Sequence, residues 1–137
     1  MNEKDIADLF IQGVGKIEFY WHFYTGTVLV LIGWMVSAAV PLNRRLKILL
    51  TLAFLAFALM NLVGLWGSYE FTEAIRRDLV ALPASTFVHA HALLSQRDFL
   101  DHRTLGLVVH VVSDLFVVGV IWFVPLGKGR KEPSAPV

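Results

Sequence analysis

Five histidines stand in this chain of 137 residues, at His22, His89, His91, His102 and His110, and Asp114 follows the last of them by four positions. On a helix that spacing lets a ring N–H of His110 donate to the Asp114 carboxylate. The bond orients the imidazole and leaves its second nitrogen for a ligand or for a proton. Asn61 is the strongly polar residue of the second long apolar run. His110, Asp114 and Asn61 therefore form a candidate intramembrane polar group, with helix-to-helix hydrogen bonding as the plainer role. His22 and His110 on two neighbouring helices are also the pair suited to bis-imidazole haem ligation, which makes haem the one cofactor expectation. His89 and His91 are two apart, so a helix directs them to different faces, and no metal set is assigned to them.

The residues 102–114 read His-x3-Gly-x3-His-x3-Asp. This run is loosely similar to the haem-binding helix in the membrane anchors of succinate dehydrogenase. Its spacing differs and an arginine usual there is missing, so the chain is not assigned to that family. No cysteine is present, which excludes disulfides, thiolate metal sites and iron–sulfur clusters. There is no phosphate-cradling loop, nucleophile elbow, metalloprotease motif or paired-carboxylate arrangement. The sequence gives no reason to read an enzyme.

Long uncharged runs carry these residues. Residues 19–43 and 48–69 carry no charge, and 104–127 carry only Asp114. Each exceeds the roughly 18–20 apolar residues that cross a bilayer as a helix. Hydrophobic residues make up 56% of the chain and charged ones 17%, well under the roughly one quarter of a soluble domain. The fold class is thus an all-α membrane protein, one domain with spans at 19–40, 46–69 and 104–126. Residues 1–17 read as an interfacial N-terminal helix, broken by Gly13 and Gly15 before the first span. Residues 70–103 read as an exterior amphipathic or re-entrant helical segment. Its first part, 70–82, has the composition to prolong the second span, Pro83 ends it, and Ser85 or Thr86 can cap a further helix. Residues 128–137 read as a disordered basic tail.

Lysine and arginine in short loops set the orientation. Arg44, Arg45 and Lys47 fill the first connection, and Lys128, Arg130 and Lys131 fill the tail, while the N-terminal segment is acidic. The N-terminus is expected outside and the C-terminus in the cytoplasm, in a membrane of the bacterial inner type. The aromatic cluster of Phe19, Tyr20, Trp21, Phe23 and Tyr24 reads as an interfacial belt. A net charge of +1 gives no general reason to bind nucleic acid.

Polar and small residues fall into stripes. The first span carries Glu18, His22, Thr25, Gly26, Gly33 and Ser37, the second Asn61, Gly64 and Ser68, and the third Arg103, Gly106, His110 and Asp114. At about 1.5 Å per residue, His22, His110, Asn61 and Asp114 lie roughly 5, 9, 12 and 15 Å below the outer boundary. All four share one half of the bilayer, where they can meet. Gly33-x3-Ser37 and Gly64-x2-Gly67, with Gly26, Gly106 and Gly119, are expected to allow close helix approach.

Three spans seldom enclose a complete site alone, so the expected partners are lipid and either other membrane subunits or further copies of the chain. The leading expectation is a non-catalytic accessory or assembly subunit of a respiratory, photosynthetic or transport complex. A haem- or metal-binding electron-transfer subunit using His22 and His110 is the first alternative. An oligomeric ion or proton pathway through Asp114 and His110 is the second.

Overall fold

The computed structural model describes residues 3–37, 42–83, 88–96 and 99–123. Among them lie four helices: α1 (Glu3–Ser37), α2 (Arg44–Ala81), α3 (Val88–Gln96) and α4 (Phe99–Phe123). Three of these, α1, α2 and α4, contain stretches long and apolar enough to cross a membrane. The expected cap at Ser85 or Thr86 and the basic tail 128–137 lie outside the described residues, as do the hairpin-end limits of the first and third spans.

Local chemistry fixes the helix ends. Asn43 starts α2 from an extended conformation, with its side-chain oxygen accepting the Leu46 N–H at 2.9 Å. At the other end Leu82 is extended, at φ −75° and ψ 151°, because Pro83 behind it disfavours the helical region. Residues 70–81 continue α2 without a break, the outcome their composition favoured.

The N-terminal segment differs from the sequence expectation. Gly13 and Gly15 do not end a helix; α1 is continuous from Glu3 through the first span. A glycine inside a helix costs only about 1 kcal/mol relative to alanine, and here packing opposes that penalty. Gly13 is pressed against α2 so closely that a Cβ there would lie 2.5 Å from Thr72 Oγ1. Ile6 and Ile75 are buried, and the Lys16 ammonium stands 5.4 Å from the centre of the Phe71 ring. With 35 and 38 residues, α1 and α2 are about 52 and 57 Å long at 1.5 Å per residue. Both exceed the roughly 30 Å hydrocarbon core. They therefore carry their pairing beyond the apolar spans, and residues 4–17 stand against α2 as a helical extension.

Helix α3 has no buried residue of its own. It is tied to the end of α2 by a reciprocal exchange. Arg76 Nη1 donates to Leu94 O at 2.6 Å, and His91 Nε2 donates to Val80 O at 2.8 Å. Each acceptor lies in the last turn of its helix, where carbonyls lack an intrahelical partner. Arg76 also forms a two-point pair with buried Glu73 at 2.7 and 2.8 Å, and Arg77 Nε adds a bond at 2.7 Å.

Helix α2 lies between α1 and α4 and packs along both. The apolar core occupies the half nearer the α1–α2 connection, the hairpin end. It consists of Tyr24 and Met35 from α1, Phe54 and Ala58 from α2, and Val117 and Ile121 from α4. At that end Lys47 Nζ donates to Trp122 O at 3.0 Å, and Trp122 Nε1 donates to Thr51 Oγ1 at 3.1 Å. The start of α2 and the finish of α4 thus share one end, and α3 marks the other. Large apolar side chains such as Val30, Leu59, Met60 and Phe116 face outward, as a hydrocarbon surrounding requires.

Candidate functional site

The candidate site lies between the apolar core and the α3 end, where three helices contribute one polar residue or more each. On α4, residues 106, 110, 117 and 121 fall on one buried stripe, which turns His110 inward. On α2 the stripe is 54, 58, 61, 65 and 68, which places Asn61 opposite it. Helix α1 presents Tyr24 and the Tyr20 carbonyl between them. The Tyr20 ring packs directly on Gly64, where no side chain could be accommodated without displacing it.

These groups form one chain of hydrogen bonds. Asn61 Nδ2 donates to Tyr20 O at 3.2 Å, and Asn61 Oδ1 lies 3.3 Å from His110 Nε2. His110 Nδ1 lies 3.0 Å from Asp114 Oδ2, and Tyr24 Oη donates to Asp114 Oδ1 at 2.7 Å. The Tyr24 ring covers the imidazole face, with centroids 4.1 Å apart, and Trp21 approaches at 6.1 Å.

Donor and acceptor roles follow by elimination. Tyr20 O only accepts, so the Asn61 amide must direct its N–H there and its oxygen toward His110. His110 Nε2 must therefore carry a hydrogen. Nδ1 faces Asp114 Oδ2, and Tyr24 supplies the bond to the other carboxyl oxygen. A fully bonded pair suits the low-dielectric interior of a bundle.

His110 is completely buried and both its nitrogens are engaged, while the Asp114 side chain keeps 17% exposure. The structure brings His110, Asp114 and Asn61 together and leaves His22 out. His22 is exposed on another face of α1. A bis-histidine haem pair of His22 and His110 is therefore not assembled: His22 is exposed on another face, and both His110 nitrogens are engaged in hydrogen bonds. No group of three or more His, Asp or Glu side chains suited to a metal occurs among the described residues.

The polar stripe of α1 is also placed differently from the sequence expectation. Glu18, His22, Thr25, Gly26, Gly33 and Ser37 are all exposed, and a Cβ at Gly26 or Gly33 would meet nothing within 4 Å. Gly67 and Gly119 are equally open, so close approach within the bundle falls to Gly13, Gly64 and Gly106. The inward face of α1 is aromatic and aliphatic instead, with Ile17, Trp21, Tyr24 and Met35 packed against the other helices. The belt residues thus divide. Phe19 and Phe23 face outward, whereas Trp21 and Tyr24 belong to the site. Their signal in the sequence is the spacing 17, 21, 24, 28, 31 and 35, an apolar stripe beside the polar one.

Toward the α3 end, Trp21 Nε1 donates to Tyr69 Oη at 3.3 Å. Arg103 lies over the Trp66 ring at 4.0 Å and pairs with Glu70 at 3.2 Å, while Trp66 Nε1 donates to the same Glu70 oxygen at 2.8 Å. No family model matches the chain, and no curated protein or solved structure is significantly similar to it.

Proposed function

We propose that this chain is a small non-catalytic membrane subunit that docks into a larger membrane assembly through the outward stripe of α1. The observation that carries the reading is the contrast between the two polar stripes that meet and the one that does not. Asn61 and His110–Asp114 saturate one another inside the bundle, which favours a structural role for them. His22, Thr25, Gly26, Gly33 and Ser37 are left facing outward in the apolar span. Hydrocarbon offers such groups no partner, whereas a facing helix offers both hydrogen bonds and close backbone approach at Gly26 and Gly33. The partner surface is another membrane helix, from a different subunit or from a second copy of the chain. The N-terminus lies outside and the tail inside, by the distribution of lysine and arginine.

The test is the size of the particle extracted in mild detergent. Wild-type protein should migrate as a stable assembly larger than one chain. Gly33→Leu, which obstructs the stripe without touching the core, should release a folded single chain. A monomeric wild-type protein with unaltered behaviour on Gly33→Leu would refute the reading. Visible absorption provides a separate check on the haem alternative, for which the burial of both His110 nitrogens predicts no Soret band.

A further inference from the structure

A cleft of about 320 Å³ opens between α1 and α4 on the α3 side of the polar chain, within the volume range of small-ligand pockets. Ile17, Trp21, Leu105 and Val109 give it an apolar lining, with Tyr69 and Gly106 between the helices and Glu18 and His102 also on its edge. Gly106 is what leaves the space, since a Cβ there would stand 3.2 Å from Tyr69 Oη. Tyr69 is 8% exposed and accepts the Trp21 indole N–H, yet its own O–H has no acceptor among the described residues. A buried hydroxyl donor without an acceptor costs free energy and calls for an oxygen in the cleft. Glu18, Tyr69 and His102 all lie where the uncharged runs end. That level is the boundary between hydrocarbon and headgroups, where the ester carbonyls of glycerolipids reside.

We infer that this cleft is a specific site for one acyl chain of a glycerophospholipid, with an ester carbonyl accepting from Tyr69 Oη and an ammonium-bearing headgroup beside Glu18. The chain lies along Ile17, Leu105 and Val109, whose apolar surface it covers. The Glu18 carboxylate is exposed and has no partner among the described residues, so an ethanolamine head complements it and a phosphoglycerol head does not. The inference requires that the bundle cross a bilayer, but it is independent of the docking role of α1.

The test uses the full chain in nanodiscs containing equal amounts of dioleoyl phosphatidylethanolamine and dioleoyl phosphatidylglycerol, released for native mass spectrometry. One retained lipid per chain is expected, ethanolamine lipid exceeding phosphoglycerol lipid several-fold. Val109→Trp fills the cleft from an exposed wall position and should abolish retention. Leu115→Trp, exposed elsewhere on α4, should leave retention unchanged. Tyr69→Phe should weaken retention roughly 2–10-fold, the worth of one hydrogen bond, and Glu18→Gln should remove the headgroup preference. Absence of a retained lipid, equal retention of the two lipids by wild type, or equal retention by Val109→Trp and Leu115→Trp would overturn the assignment.

Discussion

His110 has no unused hydrogen-bonding capacity, so each neighbour is a position where a single substitution strands a buried group. His110→Leu leaves Asn61 Oδ1 and Asp114 Oδ2 without their shared partner. The expected loss is on the order of 1–3 kcal/mol, reduced if lipid-embedded unfolded states also find partners. Asp114→Leu should cost a similar amount, and the double replacement should cost less than the sum, because neither then strands the other. Asp114→Asn keeps size and acceptor capacity and should be tolerated. Unfolding midpoints in detergent for the four proteins measure the coupling, and strictly additive losses would contradict the hydrogen-bond chain. Tyr24→Phe deletes the bond to Asp114 Oδ1 and the hydroxyl's contact with Ser113, for about 0.5–1.5 kcal/mol per hydrogen bond. His110, Asp114 and Asn61 were legible in the sequence because polar residues in apolar runs are costly and must converge. Tyr24 was not, because a tyrosine near a span end has an equally good reason to sit at the interface. His22 was misplaced for a related reason. Spacing shows that residues share a face, but it cannot say which face turns inward, and on α1 the aromatic stripe occupies the bundle.

Helix lengths and ends show which local signals prevailed. The caps at Asn43 and the stop at Pro83 acted as their chemistry dictates, and the long apolar runs became α1, α2 and α4. The break expected at Gly13 and Gly15 did not form, because α2 continues beyond its own apolar run and offers α1 a surface to pack on. Sequence reading of α1 alone does not contain that surface. Gly13→Leu should therefore loosen the extension while leaving the spans intact, with faster hydrogen exchange over residues 4–16 and 72–81. Exchange confined to other regions would show that the Gly13–Thr72 contact is dispensable. The attachment of α3 gives a second prediction at this scale. Arg76→Ala removes the bond to Leu94 O and one partner of buried Glu73, so α3 should become sensitive to protease at 88–96. Arg77→Ala should have little effect, since the Arg77 side chain is 62% exposed and its pair is screened.

For the whole molecule, the arrangement of ends and faces decides how it sits and what it meets. The Lys47–Trp122 bond places the start of α2, with its positive charges at 44–47, and the finish of α4 at one end. On the proposed orientation that end faces the cytoplasm and α3 the exterior. The absence of cysteine makes labelling simple: a cysteine at Ala90 should react with an impermeant maleimide in intact cells, and one at Asn43 should not. Labelling at Asn43 would invert the orientation. The outward stripe of α1 is proposed to meet another membrane helix, and a photo-crosslinking amino acid at Gly33 reads that contact. Irradiation in native membranes should give a discrete protein adduct, while the same group at Met60, exposed on α2, should give only lipid adducts. Lipid adducts alone at both positions, or protein adducts of equal yield at both, would contradict the account.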